Sequence, residues 1–375
     1  MKVALELQPC CGNRSGIGTY TYELARRVHN QKDVEFSGNL FNFLERNDNT
    51  QVLEQLGIPI HTCRAFPYGV YRRIWNVLPL SYQQLFPQPV DLTVFFNFIV
   101  PPRVQGNVMT TVYDMTYARF PETMDRKNLK RFEQGFSYSV QRSDHILTIS
   151  EFSKREIVEL LHVPEERISV VHCAPHFSDS LESFQTVSET YRLRKPYLLY
   201  VGTIEPRKNL TRLIQAYQML KQEKQIPHQL VLAGGKGWAN EEIIRAAAPL
   251  QESGDLVMTG FISEAEKNAL YANADAFVFP SLYEGFGIPP LEAMNLNCPV
   301  ICSNAASLPE VVGDAARLVD PMSAEDLADG IWQVLSDRKY AADLIQRGKQ
   351  QIQKFSWDQS AQKFMDVCKG VLEQT

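Results

Sequence analysis

Two short stretches carry the residue types best able to do chemistry. Val201-Gly-Thr-Ile-Glu-Pro-Arg-Lys-Asn209 ends on two adjacent cations, Arg207 and Lys208. Pro280-Ser-Leu-Tyr-Glu-Gly-Phe-Gly-Ile-Pro-Pro-Leu-Glu-Ala-Met294 sets two carboxylates, Glu284 and Glu292, around a Gly-Phe-Gly turn. A departing nucleoside diphosphate needs its growing charge stabilised, by Mg²⁺ or by fixed cations and amide dipoles. Adjacent Arg-Lys on a strand-to-helix loop supplies the second solution. Carboxylates beside it can accept hydrogen bonds from sugar and ribose hydroxyls. The combination suits a nucleotide-sugar site.

Each feature also has a plainer reading. Arg207 and Lys208 could be a solvated surface pair; their place directly after a strand-like run favours a site. Gly285 and Gly287 let backbone amides approach a ligand, and Pro289 and Pro290 suit the first turn of a helix. Glu292 then lies near that first turn, where it could simply complement the helix dipole. The loop Gly12-Asn-Arg-Ser-Gly-Ile-Gly18 follows the first strand and opens a helix over Thr19–His29. It has neither the dinucleotide Gly-x-Gly-x-x-Gly spacing nor the Gly-Lys-Ser/Thr of a P-loop. A phosphate or sugar contact and a simple strand-to-helix turn fit it equally. Tyr113 and Asp114 end a strand and are candidates for the acceptor side, against a packed Tyr and a turn-forming Asp. Phe66-Pro-Tyr-Gly-Val-Tyr-Arg-Arg-Ile-Trp75 reads as a helix burying Tyr71, Ile74 and Trp75 with its arginines solvated. The competing reading is contact with a membrane interface or a lipid-linked acceptor. Lys127, Lys130 and Arg131 read as a solvated helix face extending a basic rim.

The elements that must position these residues alternate along the chain. Strand runs are expected at Val3–Leu7, Val34–Ser37, Ile58–Cys63, Leu92–Phe96, Val108–Val112, His145–Ile149 and Ile168–His172. A second series is expected at Tyr197–Val201, Gln229–Ala233, Leu256–Thr259, Ala276–Phe279, Val300–Cys302 and Ala316–Val319. Apolar runs of this kind separated by helices imply an α/β fold with parallel sheets covered on both faces. Asn209 is a candidate N-cap, and Leu210, Leu213, Ile214, Tyr217 and Leu220 then recur at the helical period. Regular patterning lapses from about Cys173 to Lys195. Two Rossmann-like doubly wound domains facing across a cleft are expected: residues 1–175, a linker at 176–195, a second domain at 196–355, and a C-terminal helix at 356–375. Ligands of such sheets bind beyond the carboxyl ends of the strands, where both informative stretches sit.

Composition narrows the classes. A chain of 375 residues with 44% hydrophobic content suits two globular domains. A formal net charge of −5 argues against bulk nucleic-acid binding. The seven cysteines include no Cys-x-x-Cys pair, so neither a zinc site nor a disulfide framework is expected, and reduced cytosolic thiols are the simpler reading. Glu6 interrupts the apolar start, which argues against a signal peptide, and no run approaches the ~20 apolar residues that span a bilayer. The expectation is a soluble cytoplasmic protein with room for peripheral contact at the inner face of a membrane.

At these residues the sequence resembles glycosyltransferase family 4, the retaining GT-B-type transferases, over almost its whole length. Gly202…Glu-Pro-Arg207-Lys208-Asn209 resembles the family's phosphate-binding segment, and Glu284-Gly-Phe-Gly…Glu292-Ala-Met its signature carboxylate pair, with seven residues intervening. Gly16-Ile-Gly18 resembles the N-terminal glycine loop. Thr148-Ile-Ser150-Glu-Phe-Ser153 and Phe355-Ser356-Trp357 resemble further family segments. The resemblance implies that Arg207 and Lys208 hold the donor diphosphate, that Glu284 binds hydroxyls of the transferred sugar, and that Glu292 binds the ribose. It implies donor contacts from Gly16, Gly18, Gly202 and Thr203, and from Gly285, Phe286, Gly287 and Ile288. Arg207, Lys208, Glu284 and Asp114 are then the candidate catalytic residues. Two positions depart from the family: Tyr113 stands where many relatives carry a His that contacts the transferred sugar, and Asn297 where Gly is common. The expected activity is metal-independent, retaining transfer of a hexose from GDP-mannose or a UDP-sugar to a sugar or lipid-linked acceptor, in polysaccharide or glycolipid synthesis, with no cofactor. A nucleotide-sugar epimerase and a non-catalytic nucleotide-sugar-binding subunit are the alternatives. A dehydrogenase is disfavoured, because neither half has the full glycine fingerprint.

Overall fold

The structure, a computed structural model, describes residues 1–11, 16–28, 33–43, 53, 55–77, 79–176 and 180–373. The chain divides into two units. The first comprises Met1–Met115, Arg126–Cys173 and Ser356–Thr375; the second comprises Thr116–Asp125 and Ala174–Phe355.

The first unit holds seven strands: β1 (Lys2–Glu6), β2 (Glu35–Phe41), β3 (Ile60–Cys63), β4 (Leu92–Phe95), β5 (Asn107–Thr111), β6 (His145–Thr148) and β7 (Ile168–Val170). They form one sheet in the order β3-β2-β1-β4-β5-β6-β7. The second unit holds β8 (Tyr197–Val201), β9 (Gln229–Ala233), β10 (Leu256–Gly260), β11 (Ala276–Phe279), β12 (Val300–Ser303) and β13 (Ala316–Val319), in the order β10-β9-β8-β11-β12-β13. Every pairing is parallel. Both orders run inward to the unit's first strand and then jump to its fourth, so each sheet has a topological switch point, at β1/β4 and at β8/β11. All expected strands form, and their ends shift by a few residues. The strand β2 runs on to Phe41 because Gly38 to Phe41 pair with β3 from Ile60 to Cys63.

The continuous apolar runs are explained by burial on both sheet faces. Every residue of β8, β9 and β11 is buried, as parallel strands under helices require. The helix Leu210–Glu223 lays Leu210, Leu213, Ile214, Tyr217 and Leu220 inward, the stripe its period predicts.

Three boundaries differ from the sequence expectation. The first helix begins at Gly16, not Thr19, and runs to Ala25; His29 and Gly12 to Ser15 lie outside the described residues. The expected linker contains the helix Phe184–Tyr191, which buries only Val187 and therefore leaves no periodic trace. Thr116–Asp125 belongs to the second unit: the Trp238 indole N–H donates to the Thr123 carbonyl at 2.5 Å, and the Phe120 and Tyr283 rings lie 5.5 Å apart. The C-terminal helix Trp357–Glu373 is part of the first unit. Trp357 packs edge-on against Tyr20 at 5.9 Å, and Phe364 lies 5.7 Å from Phe96.

Candidate functional site

The site is built where the chain leaves β8 and β11, on the two sides of the second switch point. After β8, Gly202 adopts φ 153°, and a Cβ there would meet the Tyr200 hydroxyl at 2.5 Å, so only glycine fits. A single 3₁₀ turn, Pro206–Lys208, then carries both cations. Asn209 follows in the left-handed region at φ 59°, a conformation Asn tolerates. It occupies the N-cap position but does not cap. Its side-chain amide instead donates to the Pro280 carbonyl at 3.0 Å and the Pro321 carbonyl at 2.7 Å. The Leu282 amide donates to the Arg207 carbonyl at 2.9 Å. The Pro280 and Leu282 bonds tie the β8 and β11 loops into one piece, and the Pro321 bond fastens them to the loop after β13.

The second loop turns on glycine as well. Gly287 has φ 110°, and a Cβ there would sit 2.5 Å from Leu308 Cδ2. The Ser307 hydroxyl spans the turn, its Oγ lying 2.9 Å from the Glu284 carbonyl and 2.7 Å from the Phe286 carbonyl. Phe286 is buried, packed edge-on against Phe355 at 5.3 Å; its ring anchors the loop.

Charge is concentrated between the loops. Arg207 donates from Nη1 to Glu284 Oε2 at 2.9 Å and to the Tyr283 carbonyl at 2.5 Å, and from Nη2 to Glu205 Oε1 at 2.7 Å. Lys208 Nζ donates to Glu284 Oε1 at 2.6 Å and lies 5.4 Å from the Phe279 ring centroid. Two cations are thus matched by two carboxylates, all largely buried. Burial alone would raise the Glu284 carboxyl, but Arg207 and Lys208 outweigh it and hold it at about 2. Burial lowers the Lys208 ammonium from its usual value, and Glu284 opposes that shift. A carboxylate so held is ionised at every physiological pH, and it pins both cations at one spot.

Glu292 stands apart from this network. It is the fifth residue of the helix Ile288–Asn295, past the first turn where the sequence placed it. Its carboxylate accepts from Lys267 Nζ at 2.7 Å and from the Tyr271 hydroxyl at 3.3 Å. Burial raises its pKa against the pull of Lys267. Lys267 Nζ also pairs with Glu264 at 3.1 Å, in the helix that the Ser263–Glu266 capping box starts. After the Glu292 helix, Asn297 takes φ 57°, so it adopts the left-handed backbone that glycine would provide there.

The structure therefore brings Arg207, Lys208 and Glu284 into direct contact, with Gly202, Gly285, Phe286 and Gly287 in the same two loops. Thr203 is exposed and Ile288 half-buried at their ends. Gly16, Gly18, Tyr113 and Asp114 belong to the first unit. Tyr113 is buried there among Tyr20 and Phe98, and its hydroxyl donates to the Phe96 carbonyl at 2.8 Å; it is a packed core residue, not a presented acceptor contact. Asp114 is half-buried at the end of that turn. Sequence reasoning gave no role to Glu205, Ser307, Lys267 or Tyr271. Glu205 had a local signal, two residues before Arg207 in a loop rich in charge.

Two Rossmann-like sheets, with a matched charge cluster at the switch point of the second, place the chain in the class of doubly wound α/β proteins, whose ligands bind beyond the carboxyl ends of the strands. Comparison with known proteins narrows the class. The family described as Glycosyltransferase Family 4 matches residues 14–175, and Glycosyl transferases group 1 matches residues 184–351. The O-antigen chain mannosyltransferase B of Escherichia coli is 31% identical over 98% of this chain and 100% of its own length. Among solved structures, sucrose-phosphate synthase from Thermosynechococcus elongatus covers all of both chains with a TM-score of 0.72 at 18% identity. Anabaena Alr3699/HepE, solved with UDP and glucose, covers 99% of this chain and 100% of that chain, with a TM-score of 0.72 at 17% identity. The fold is the GT-B type, and the chain belongs to glycosyltransferase family 4. It is a glycosyltransferase.

Proposed function

We propose that the chain moves a hexose, mannose in the first instance, from a nucleoside diphosphate sugar to a sugar or lipid-linked acceptor during polysaccharide or glycolipid synthesis. The O-antigen mannosyltransferases of Escherichia coli and Salmonella typhimurium among its relatives support both the sugar and the setting. GDP-mannose is the donor this reading favours over a UDP-sugar. The carrying observation is the Arg207–Glu284–Lys208 cluster on the β8/β11 switch point.

In this reading Arg207 and Lys208 take up the charge that develops on the departing diphosphate, which makes a metal ion unnecessary. Glu284 aligns both cations and turns to the hydroxyls of the transferred sugar once the diphosphate competes for them. Glu292, held by Lys267, accepts from the ribose. No side chain of this cluster stands free as a nucleophile, so transfer proceeds on one face of the sugar, with the leaving phosphate oxygen drawing the proton from the acceptor hydroxyl. The configuration at the anomeric carbon is therefore retained. The test is transfer from GDP-mannose and UDP-glucose to a glycan or glycolipid acceptor, followed by NMR of the product without divalent metal. Mannosyl transfer with an α-linkage from the α-donor is expected. An inverted product, or transfer strictly dependent on added Mg²⁺ or Mn²⁺, would overturn the mechanism.

A further inference from the structure

Glu292 is gripped more firmly than a ribose contact alone requires. Its two oxygens are engaged separately: Lys267 Nζ donates to Oε1 at 2.7 Å, and the Tyr271 hydroxyl donates to Oε2 at 3.3 Å. Both donors stand one turn apart on the helix Glu264–Asn273. One bond would tie this helix to the helix Ile288–Asn295. Two bonds, one to each oxygen, also fix the rotation of the carboxylate plane. The helix that carries the donors is anchored in turn by the chain before β8. The Asn268 side chain donates to the Ser180 carbonyl at 2.9 Å, the Glu182 amide to the Ala265 carbonyl at 3.2 Å, and the Tyr191 hydroxyl to Glu266 Oε1 at 2.9 Å.

The charge of the pair is set by the same contacts. The Lys267 side chain is 16% exposed and that of Glu292 13%, so the pair is largely out of water but open at one point. Burial pushes the Glu292 carboxyl above its usual range, and Lys267 pulls it back. Burial would likewise lower the Lys267 ammonium, but Glu292 and Glu264 outweigh it and hold it above its usual value. Without Lys267, a carboxyl buried to this degree takes up a proton. It then donates from one oxygen where the carboxylate would accept.

The acceptor sites that remain point to a ligand chemistry. A carboxylate offers about four lone-pair sites, shared between its oxygens. With Lys267 on one oxygen and Tyr271 on the other, each oxygen keeps a site open among the described residues. Two acceptor sites side by side in one plane fit two donors on adjacent carbons, which is what the vicinal hydroxyls of a ribose are. A 2′-deoxyribose fills one site and leaves the other unpaired, at a cost that grows with burial.

We infer that Lys267 sets the preference of the donor site for ribose over 2′-deoxyribose. It is a positioning residue that acts through Glu292, keeping the carboxylate turned so that both open sites meet the 2′- and 3′-hydroxyls. That role rests on the reading in which Glu292 meets the ribose, and it adds the residue on which the contact depends and the discrimination it confers.

The test is calorimetry on the full chain with GDP and 2′-deoxy-GDP, and with UDP and 2′-deoxy-UDP so that the outcome does not hang on the base. The proteins are the wild type, Lys267→Met, Lys267→Gln and Glu292→Gln. The wild type should bind the ribonucleotide about ten-fold or more tightly than its deoxy form, as a hydrogen bond to a charged group gives. Lys267→Met should bring that ratio to about two-fold or less while the affinity for the deoxy form stays close to wild type. Retained deoxy binding shows that the variant is folded and that only the sugar contact has changed. Lys267→Gln, which keeps a donor but not the charge, should give a ratio between the two. An equal loss of affinity for both forms in Lys267→Met, with the ratio unchanged, would make Lys267 a purely structural tie and overturn the inference. Where Lys267→Met does not fold, a wild-type ratio in Lys267→Gln overturns it instead. Glu292→Gln separates the two readings. A ratio lost in Glu292→Gln and kept in both Lys267 variants leaves the ribose contact and removes the role of Lys267. A ratio kept in Glu292→Gln removes the ribose contact itself, and the role of Lys267 with it.

Discussion

The two sheets share a strand order and treat a buried carboxyl in opposite ways at their switch points. In the second unit Glu284 lies against Arg207 and Lys208 and is held down at about 2. In the first unit Glu6 ends β1, is fully buried, and is pushed up to about 8 by that burial, against one backbone bond from the Gln8 amide at 3.1 Å. Among the described residues, the titratable groups around it are Cys11, Tyr68, Tyr71 and Tyr82, none of them a cation. The same topology thus supports an ionised carboxylate that organises cations and a neutral carboxyl that does not. Fold supplies the position, and neighbours decide the chemistry.

The comparison breaks most visibly at the cations. Lys208→Ala should cut transfer by about 10²–10³-fold, the cost of losing one preorganised charge at a leaving group; steady-state rates with GDP-mannose check it. Glu284→Gln should show two effects of opposite sign. It leaves two buried cations under-compensated and should lower stability at neutral pH by about 3 kcal/mol. It also removes the carboxylate that competes with the diphosphate, so GDP should bind roughly ten-fold tighter while transfer falls. The stabilisation Glu284 gives is present above its unfolded value of 4.5 and lost as pH falls through about 2. Wild type and Glu284→Gln should therefore converge in thermal stability toward that acid limit.

Glu6→Gln sharpens the contrast from the other side. Because the folded pKa is raised, the contribution of Glu6 is fully present below 4.5 and is lost as pH rises toward about 8. A neutral, near-isosteric Gln escapes that loss, so the variant should be more stable than the wild type at pH 8, by about 4 kcal/mol, and little different near pH 4.5. Thermal melts across that range decide it; an equal offset at every pH would refute the neutral-carboxyl account. The smallest effect is expected at Asn209. Asn209→Ala removes two buried side-chain bonds between the loops and should cost about 1–2 kcal/mol, with GDP affinity falling less than in Lys208→Ala.

Much of this arrangement was legible in the sequence because it is local. Continuous apolar runs such as Tyr197–Val201 announce buried parallel strands, and residues directly after such strands face the ligand edge. That is why Arg207, Lys208 and Glu284 could be named. What was illegible depends on partners far along the chain. Asn209 looked like a cap, but the carbonyls of Pro280 and Pro321 claim its side chain. Tyr113 looked like a cleft residue, but the Phe96 carbonyl holds its hydroxyl. The cations looked free, yet Glu205 and Glu284 neutralise them. Thr116–Asp125 carries no linker signal, although it belongs to the second unit.

The central claim is that Arg207 and Lys208, aligned by Glu284, form the seat of a nucleoside diphosphate. Calorimetric titration of GDP into the wild type and Lys208→Ala at constant salt tests it most directly. One site per chain, weakened about ten-fold or more by the substitution, is the predicted result. Equal affinity in the two proteins would contradict it.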